Sequence, residues 1–151
     1  MKAQIDAHEL GLEPSKGGER DLFAWLVASF LFGKRIQQDI AKAAYQVIVE
    51  KHQIDTVAKM AACTHRQLVS MLGEGRYSRY DESTATRLTA LCKGIQRDYQ
   101  GSVKQLIEQS ADKQELSTRL QAFVGVGPKT AEIFIRDAWQ NRQRGDSKER
   151  K

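Results

Sequence analysis

The stretch Leu120-Gln-Ala-Phe-Val-Gly-Val-Gly-Pro-Lys-Thr-Ala131 decides how this chain is read. An apolar face carrying Leu116, Leu120 and Phe123 runs into it. A second face runs out of it, with Ala131, Phe134, Ile135, Ala138 and Trp139 at i, i+3, i+4, i+7 and i+8. The spacing predicts two amphipathic helices joined by a very short turn. Gly125 and Gly127 alternate in that turn, where glycine permits positive φ and the close approach of another backbone. Val126 between them is expected to point into the core and pin the helices together. Pro128 suits the first position of the second helix, where its missing N–H is no loss. The N–H groups of Gly125, Gly127, Lys129 and Thr130 are then left facing outward at a helix N-terminus. Such a site attracts phosphate, and Lys129 adds a positive charge. The same corner can also be a bare αα-turn that binds nothing.

Upstream, the chain reads as helix after helix. Leu22–Phe32 (LFAWLVASFLF) is apolar nearly all round, which predicts a central helix covered on every side, with Asp21 as its N-cap and Gly33 as its stop. Ile36, Ile40, Ala43, Ala44, Val47 and Ile48 mark one face of a second helix. Two short helices follow, the latter opened by the capping box Thr64-x-x-Gln67 and closed at Gly73. Residues 73–80, GEGRYSRY, have no apolar period and read as a loop. Ala85, Leu88, Leu91, Cys92 and Ile95 stripe a long helix. Ser102-x-x-Gln105 and Asp112-x-x-Glu115 each open a further one. No convincing strand is present, so the expected fold class is all-α: a compact multi-helix domain over 21–139, barrel-like in its helix order, ending in the paired helices. Residues 1–20, with Pro14 and Gly17-Gly18, read as a flexible arm. Residues 140–151 contain no apolar side chain and read as a basic, disordered tail.

Composition narrows the function classes. With 151 residues and 40% hydrophobic content, the chain fits one domain, and no disulfide or metal is needed to explain its folding. Its formal net charge of +5 is compatible with a polyanionic partner. Cys63 and Cys92 read as buried thiols, which suits a reducing compartment. Two cysteines cannot ligate a four-cysteine cluster, and His8, His52 and His65 fit no metal-ligand spacing, so neither a metal nor a cofactor is expected. The apolar run 22–32 is too short to span a bilayer, and no apolar stretch like that of a signal peptide stands at the start. A soluble, cytoplasmic protein without membrane contact is expected.

The full string VGVGPKTA, with amphipathic helices on both sides, closely resembles the helix-hairpin-helix motif, which grips a DNA backbone without reading sequence. The resemblance extends over residues 21–139. A buried helix near the start, a string of short helices, a Gly-x-Tyr loop before a long helix and a late hairpin look like endonuclease III-type DNA glycosylases. That resemblance implies double-stranded DNA, damaged or abasic, as partner. It implies that Lys129 takes the position whose amine attacks the sugar C1′ in bifunctional members. It implies that Gly75-Arg76-Tyr77 matches the loop whose tip wedges into the gap left by a flipped base. The family's wedge is often apolar, so Arg76 is a departure. Arg76, Arg79, Tyr77 and Tyr80 can reach phosphates and stack on a base, or the loop is a solvated turn held by tyrosines packing on the surface. Lys34 falls near the position that probes the vacated stack, or is a solvated loop lysine.

Two family features do not follow. The family's aspartate stands in a glycine- and proline-rich segment beyond the second hairpin helix. After Lys129, Gly145 is the sole glycine or proline, Asp146 sits in an unlike context, and Asp137 reads as a surface carboxylate. The chain therefore looks cut short before the aspartate segment, and the four-cysteine loop is absent too. Three readings stay open at this point. One is an endonuclease III-like repair protein with abasic-site lyase or glycosylase chemistry at Lys129. Another is a non-catalytic DNA-binding module, or a subunit whose protein partner supplies the missing segment. The third is a protein-interaction domain.

Overall fold

The helix Glu19–Phe32 (α1) is the axis of the structure, a computed structural model that describes the backbone of residues 5–150 and the side chains of 5–139. Every residue from Leu22 to Phe32 is buried. Covering such a helix on all sides removes each large side chain from water, about 1.5–3 kcal/mol apiece. Its one polar interruption is satisfied locally, since the Ser29 hydroxyl donates to the Trp25 carbonyl at 2.7 Å. The indole N–H of Trp25 donates across the core to the Phe134 carbonyl at 3.2 Å.

Among the described residues seven further α-helices follow α1: α2 (Gln38–Tyr45), α3 (Val57–Ala61), α4 (His65–Glu74), α5 (Asp81–Tyr99), α6 (Val103–Glu108), α7 (Lys113–Gln121) and α8 (Pro128–Arg150). There is no strand among the described residues, and the fold is all-α. Helix α1 packs against α2, α6 and α8; α5 lies across α3, α4 and α6; α7 and α8 pack on each other. None of these helices, within the described residues, is long and apolar enough to cross a membrane.

The caps follow the expected chemistry. Thr64 and Gln67 form a reciprocal capping box at α4, with Gln67 N–H donating to Thr64 Oγ1 at 3.0 Å and Thr64 N–H to Gln67 Oε1 at 2.8 Å. Ser102 and Asp112 accept from the third residue of α6 and α7 in the same way. Helix α1 departs from expectation at its start. It begins at Glu19 after Gly18, and Asp21 lies inside the helix, where its carboxylate accepts the Glu13 N–H at 2.9 Å. Glu19 is turned instead onto α6, accepting from Ser102 Oγ, Val103 N and Lys104 N. A carboxylate over three donors at a helix start is a favourable placement.

Three sequence expectations change. The second helix does not run on to Ile48 as one α-helix; after Tyr45 it widens into a π-helical turn, Gln46–Lys51, which lets both Ile48 and Val49 be buried. The arm is not loose from Ile5 onward. Ile5, Ala7, Leu10, Leu12 and Pro14 are buried, two 3-10 turns (His8–Leu10 and Pro14–Lys16) shape the segment, and the Ala7 N–H donates to Asp137 on α8 at 3.0 Å. Its apolar residues were spaced too irregularly to show a helical or strand period. Residues 1–4 of the expected arm lie outside the described residues. At the other end α8 continues to Arg150, past residue 140 where the tail is expected. That stretch has no proline and is rich in Gln, Arg, Lys and Glu, which lose little rotamer freedom in a helix. Its side chains, Asp146 among them, lie outside the described residues.

Candidate functional site

The turn between α7 and α8 is built by packing at both of its ends. Phe123 lies over Gly94 of α5, where an added Cβ would come within 2.6 Å of the ring, and its ring meets Tyr99 edge-on at 6.3 Å. The chain then reverses through Gly125 at φ +89°, a conformation costly to any L side chain. Val126 is buried and its N–H donates back to the Phe123 carbonyl at 3.1 Å. Pro128 opens α8, and the first helical bond, Ala131 N–H to Gly127 O, is 3.1 Å.

This geometry leaves a row of donors. Among the described residues, the N–H groups of Gly125, Gly127, Lys129 and Thr130 donate to no backbone or side-chain acceptor. They stand at the positive end of α8, whose first turn carries no acidic residue. Lys129 and Val124 are exposed, Val124 with 68% of its surface accessible. Only Gly125 needs glycine for its conformation. Gly127 has ordinary φ, and nothing lies within 4 Å of an added Cβ.

Thr130 contributes its backbone alone. Its side chain is buried, with Oγ1 pressed on Gly33 just after α1. Lys34, the next residue, is no solvated loop lysine. It is half-buried, its Nζ donates to the Gly125 carbonyl at 2.9 Å, and it sits 4.3 Å above the Phe30 ring. Burial, and then the nearby positive charge of Arg87, hold its pKa below the usual lysine value. The structure thus brings Lys34, Gly125, Gly127, Lys129 and Thr130 together.

The 75–80 segment does not offer Tyr77 to a base. Tyr77 is fully buried, its hydroxyl accepts from Thr84 at 3.5 Å, and burial raises its pKa. A side chain in the core cannot stack on a base. The segment looked like a loop because it has no period, yet its Tyr77 belongs to the core, with the hydroxyl beside Thr84 near the start of α5. Arg76 is exposed at φ +66° and lines a groove with Ala43, Val47, Glu50, Lys51 and Glu74. Arg79 is exposed and lies over the Tyr80 ring at 5.1 Å, with half of Tyr80 accessible.

Sequence reasoning missed Arg87. It falls on the exposed face of α5, and nothing local distinguishes it from a solvated helix arginine. Only the packing of α5 under the turn brings its stem against Gly125. Asp137 is likewise more than a surface carboxylate, since it accepts from Ala7 N–H and pairs with Arg136. Compared with family models, curated proteins and solved structures, the chain finds no match.

Proposed function

We propose that this chain is a DNA-binding protein of the endonuclease III-like base-excision repair type, holding duplex DNA by its phosphates through Phe123–Thr130. The observation that carries the reading is the set of unsatisfied N–H groups at Gly125, Gly127, Lys129 and Thr130, beside an exposed lysine and with no carboxylate in the first turn of α8. Oriented amides at a helix start match a phosphate oxygen, and such contacts position a duplex without specifying bases. Lys129 is the amine best placed for chemistry on a bound sugar. Among the described residues Lys129 forms no ion pair, its neighbour three positions along α8 is the exposed Glu132, and Asp137 is engaged by Ala7 and Arg136. The proposed chemistry is therefore opening of an abasic site, which needs no acid-assisted loss of an intact base.

The exposed Val124 at the tip of the turn favours a second reading, docking onto another protein. A salt titration of duplex affinity separates the two. Contact with roughly three to five phosphates gives a log–log slope near −3 to −4. Affinity that barely changes from low to physiological salt would refute the phosphate grip.

A further inference from the structure

We infer that Lys34, at the end of α1, and Arg87, on α5, form an anion seat flanking Gly125 that takes a backbone phosphate of duplex DNA beside the one held by the turn. The inference rests on the DNA-binding reading and adds a second contact from outside the α7–α8 turn.

Both cations are anchored on the same glycine. Lys34 Nζ is fixed by its bond to the Gly125 carbonyl at 2.9 Å. The stem of Arg87 runs under Gly125 so closely that an added Cβ would lie 2.7 Å from its Cδ and 3.0 Å from its Cβ and Cγ. Burial, and then the positive charge of Arg87, hold the Lys34 pKa below the usual lysine value, and Lys34 is half-buried. Some described cations are neutralised, since Arg20, Lys51, Lys59, Arg97, Arg119 and Arg136 each hold a carboxylate, while others, Lys129 among them, are not. Among the described residues neither Lys34 nor Arg87 has such a partner. Helix α5 cannot supply one to Arg87, because the positions three and four away are Ser83, Thr84, Ala90 and Leu91.

Two like charges held together, one partly desolvated, oppose the fold unless an anion joins them. A phosphate between them reverses the sign of the interaction, and the exposed guanidinium of Arg87 can take it bidentately. The seat opens beside the free N–H groups of the turn, so one strand can meet both.

Arg87→Met tests the seat, since methionine keeps an apolar stem against Gly125 and removes the charge. Duplex Kd should rise roughly 5- to 10-fold and the salt slope should shrink by about 1, with Arg87→Lys recovering the slope but not the full affinity. In the wild-type protein, the Lys34 pKa followed by NMR at its ε-carbon should rise when a short duplex is added, a shift that a packing role would not produce. Duplex binding with unchanged affinity and slope in a folded Arg87→Met variant overturns the seat and leaves the grip of the turn standing. A Lys34 pKa that rises with millimolar inorganic phosphate yet stays fixed with duplex also overturns it, assigning the seat to a free anion. If the wild-type protein shows no salt-sensitive duplex binding, the broader reading and the seat fall together. Should Arg87→Met fail to fold, the Lys34 titration in the wild type still decides.

Discussion

Gly75 at the end of α4 lies on the backbone of Ala44 in α2, so near that an added Cβ would come within 2.6 Å of the Ala44 Cα and 2.8 Å of its N. Neither atom belongs to a flexible side chain that can turn aside. Gly75→Ala should therefore push α4 off α2 and cost about 1–3 kcal/mol, as overpacking does. Urea denaturation checks it, and a loss below about 0.5 kcal/mol would mean the two helices adjust freely. Part of the segment that resembles a DNA-wedging loop is thus occupied in holding helices together.

What the sequence disclosed divides by range. The all-round apolar Leu22–Phe32 announced the central helix, and Thr64, Ser102 and Asp112 announced helix starts, because a cap is a bond between residues three apart. The α7–α8 turn was legible for the same reason, its glycines, proline and flanking stripes being contiguous. Tyr77 and Arg87 were not legible. Whether an aromatic in an aperiodic segment is core or surface, and whether a helix arginine lies under a distant glycine, depends on contacts between elements. The π-helical turn at Gln46–Lys51 also broke the period that would have marked Ile48 and Val49 together.

Cys92 is fully buried on α5, and its thiol is pushed up to about 12, first by burial and secondarily by Cys63. Below the ordinary thiol value the folded and unfolded chains both keep the proton, and the group contributes nothing to pH dependence. Above about pH 9 the unfolded chain loses the proton first, so stability should fall as pH rises toward about 12. In the native protein near neutral pH, iodoacetamide should spare Cys92 and label the half-buried Cys63 slowly, since burial raises that thiol too. Rapid native labelling of Cys92, read by mass spectrometry, would contradict its burial.

The two glycines of the turn should respond differently to valine. Gly125 sits at φ +89° over Arg87, so Gly125→Val should lose about 2 kcal/mol or more of stability along with DNA affinity. Gly127 precedes α8 with ordinary φ and open space around it, so Gly127→Val should fold with a loss within about 1 kcal/mol. Its isopropyl group would nonetheless stand among the free N–H groups and keep a phosphate out. Thermal melts beside duplex binding read both effects. A well-folded Gly127→Val that binds like wild type would move the DNA contact away from the turn.

Lys129 decides whether binding leads to chemistry. On an abasic site the sugar opens to an aldehyde, and a neutral Lys129 amine can add to C1′. Loss of water then gives an imine, and borohydride delivers hydride to leave a stable secondary amine joining protein and DNA. Wild-type protein should therefore become covalently linked to an abasic duplex on borohydride addition. Lys129→Gln should not, because glutamine keeps similar length but cannot form the imine, and its duplex affinity should fall only modestly. Lys34 offers the competing amine, with its pKa held low by burial and by Arg87. Peptide mapping of the trapped complex separates the two, and Lys34→Met should leave the Lys129 link in place. A link that persists in Lys129→Gln and maps to Lys34 would transfer the chemistry to the end of α1. Tight duplex binding with no trapping on any abasic substrate would leave Lys129 as a phosphate ligand alone, and the chain as a binding module without a reaction.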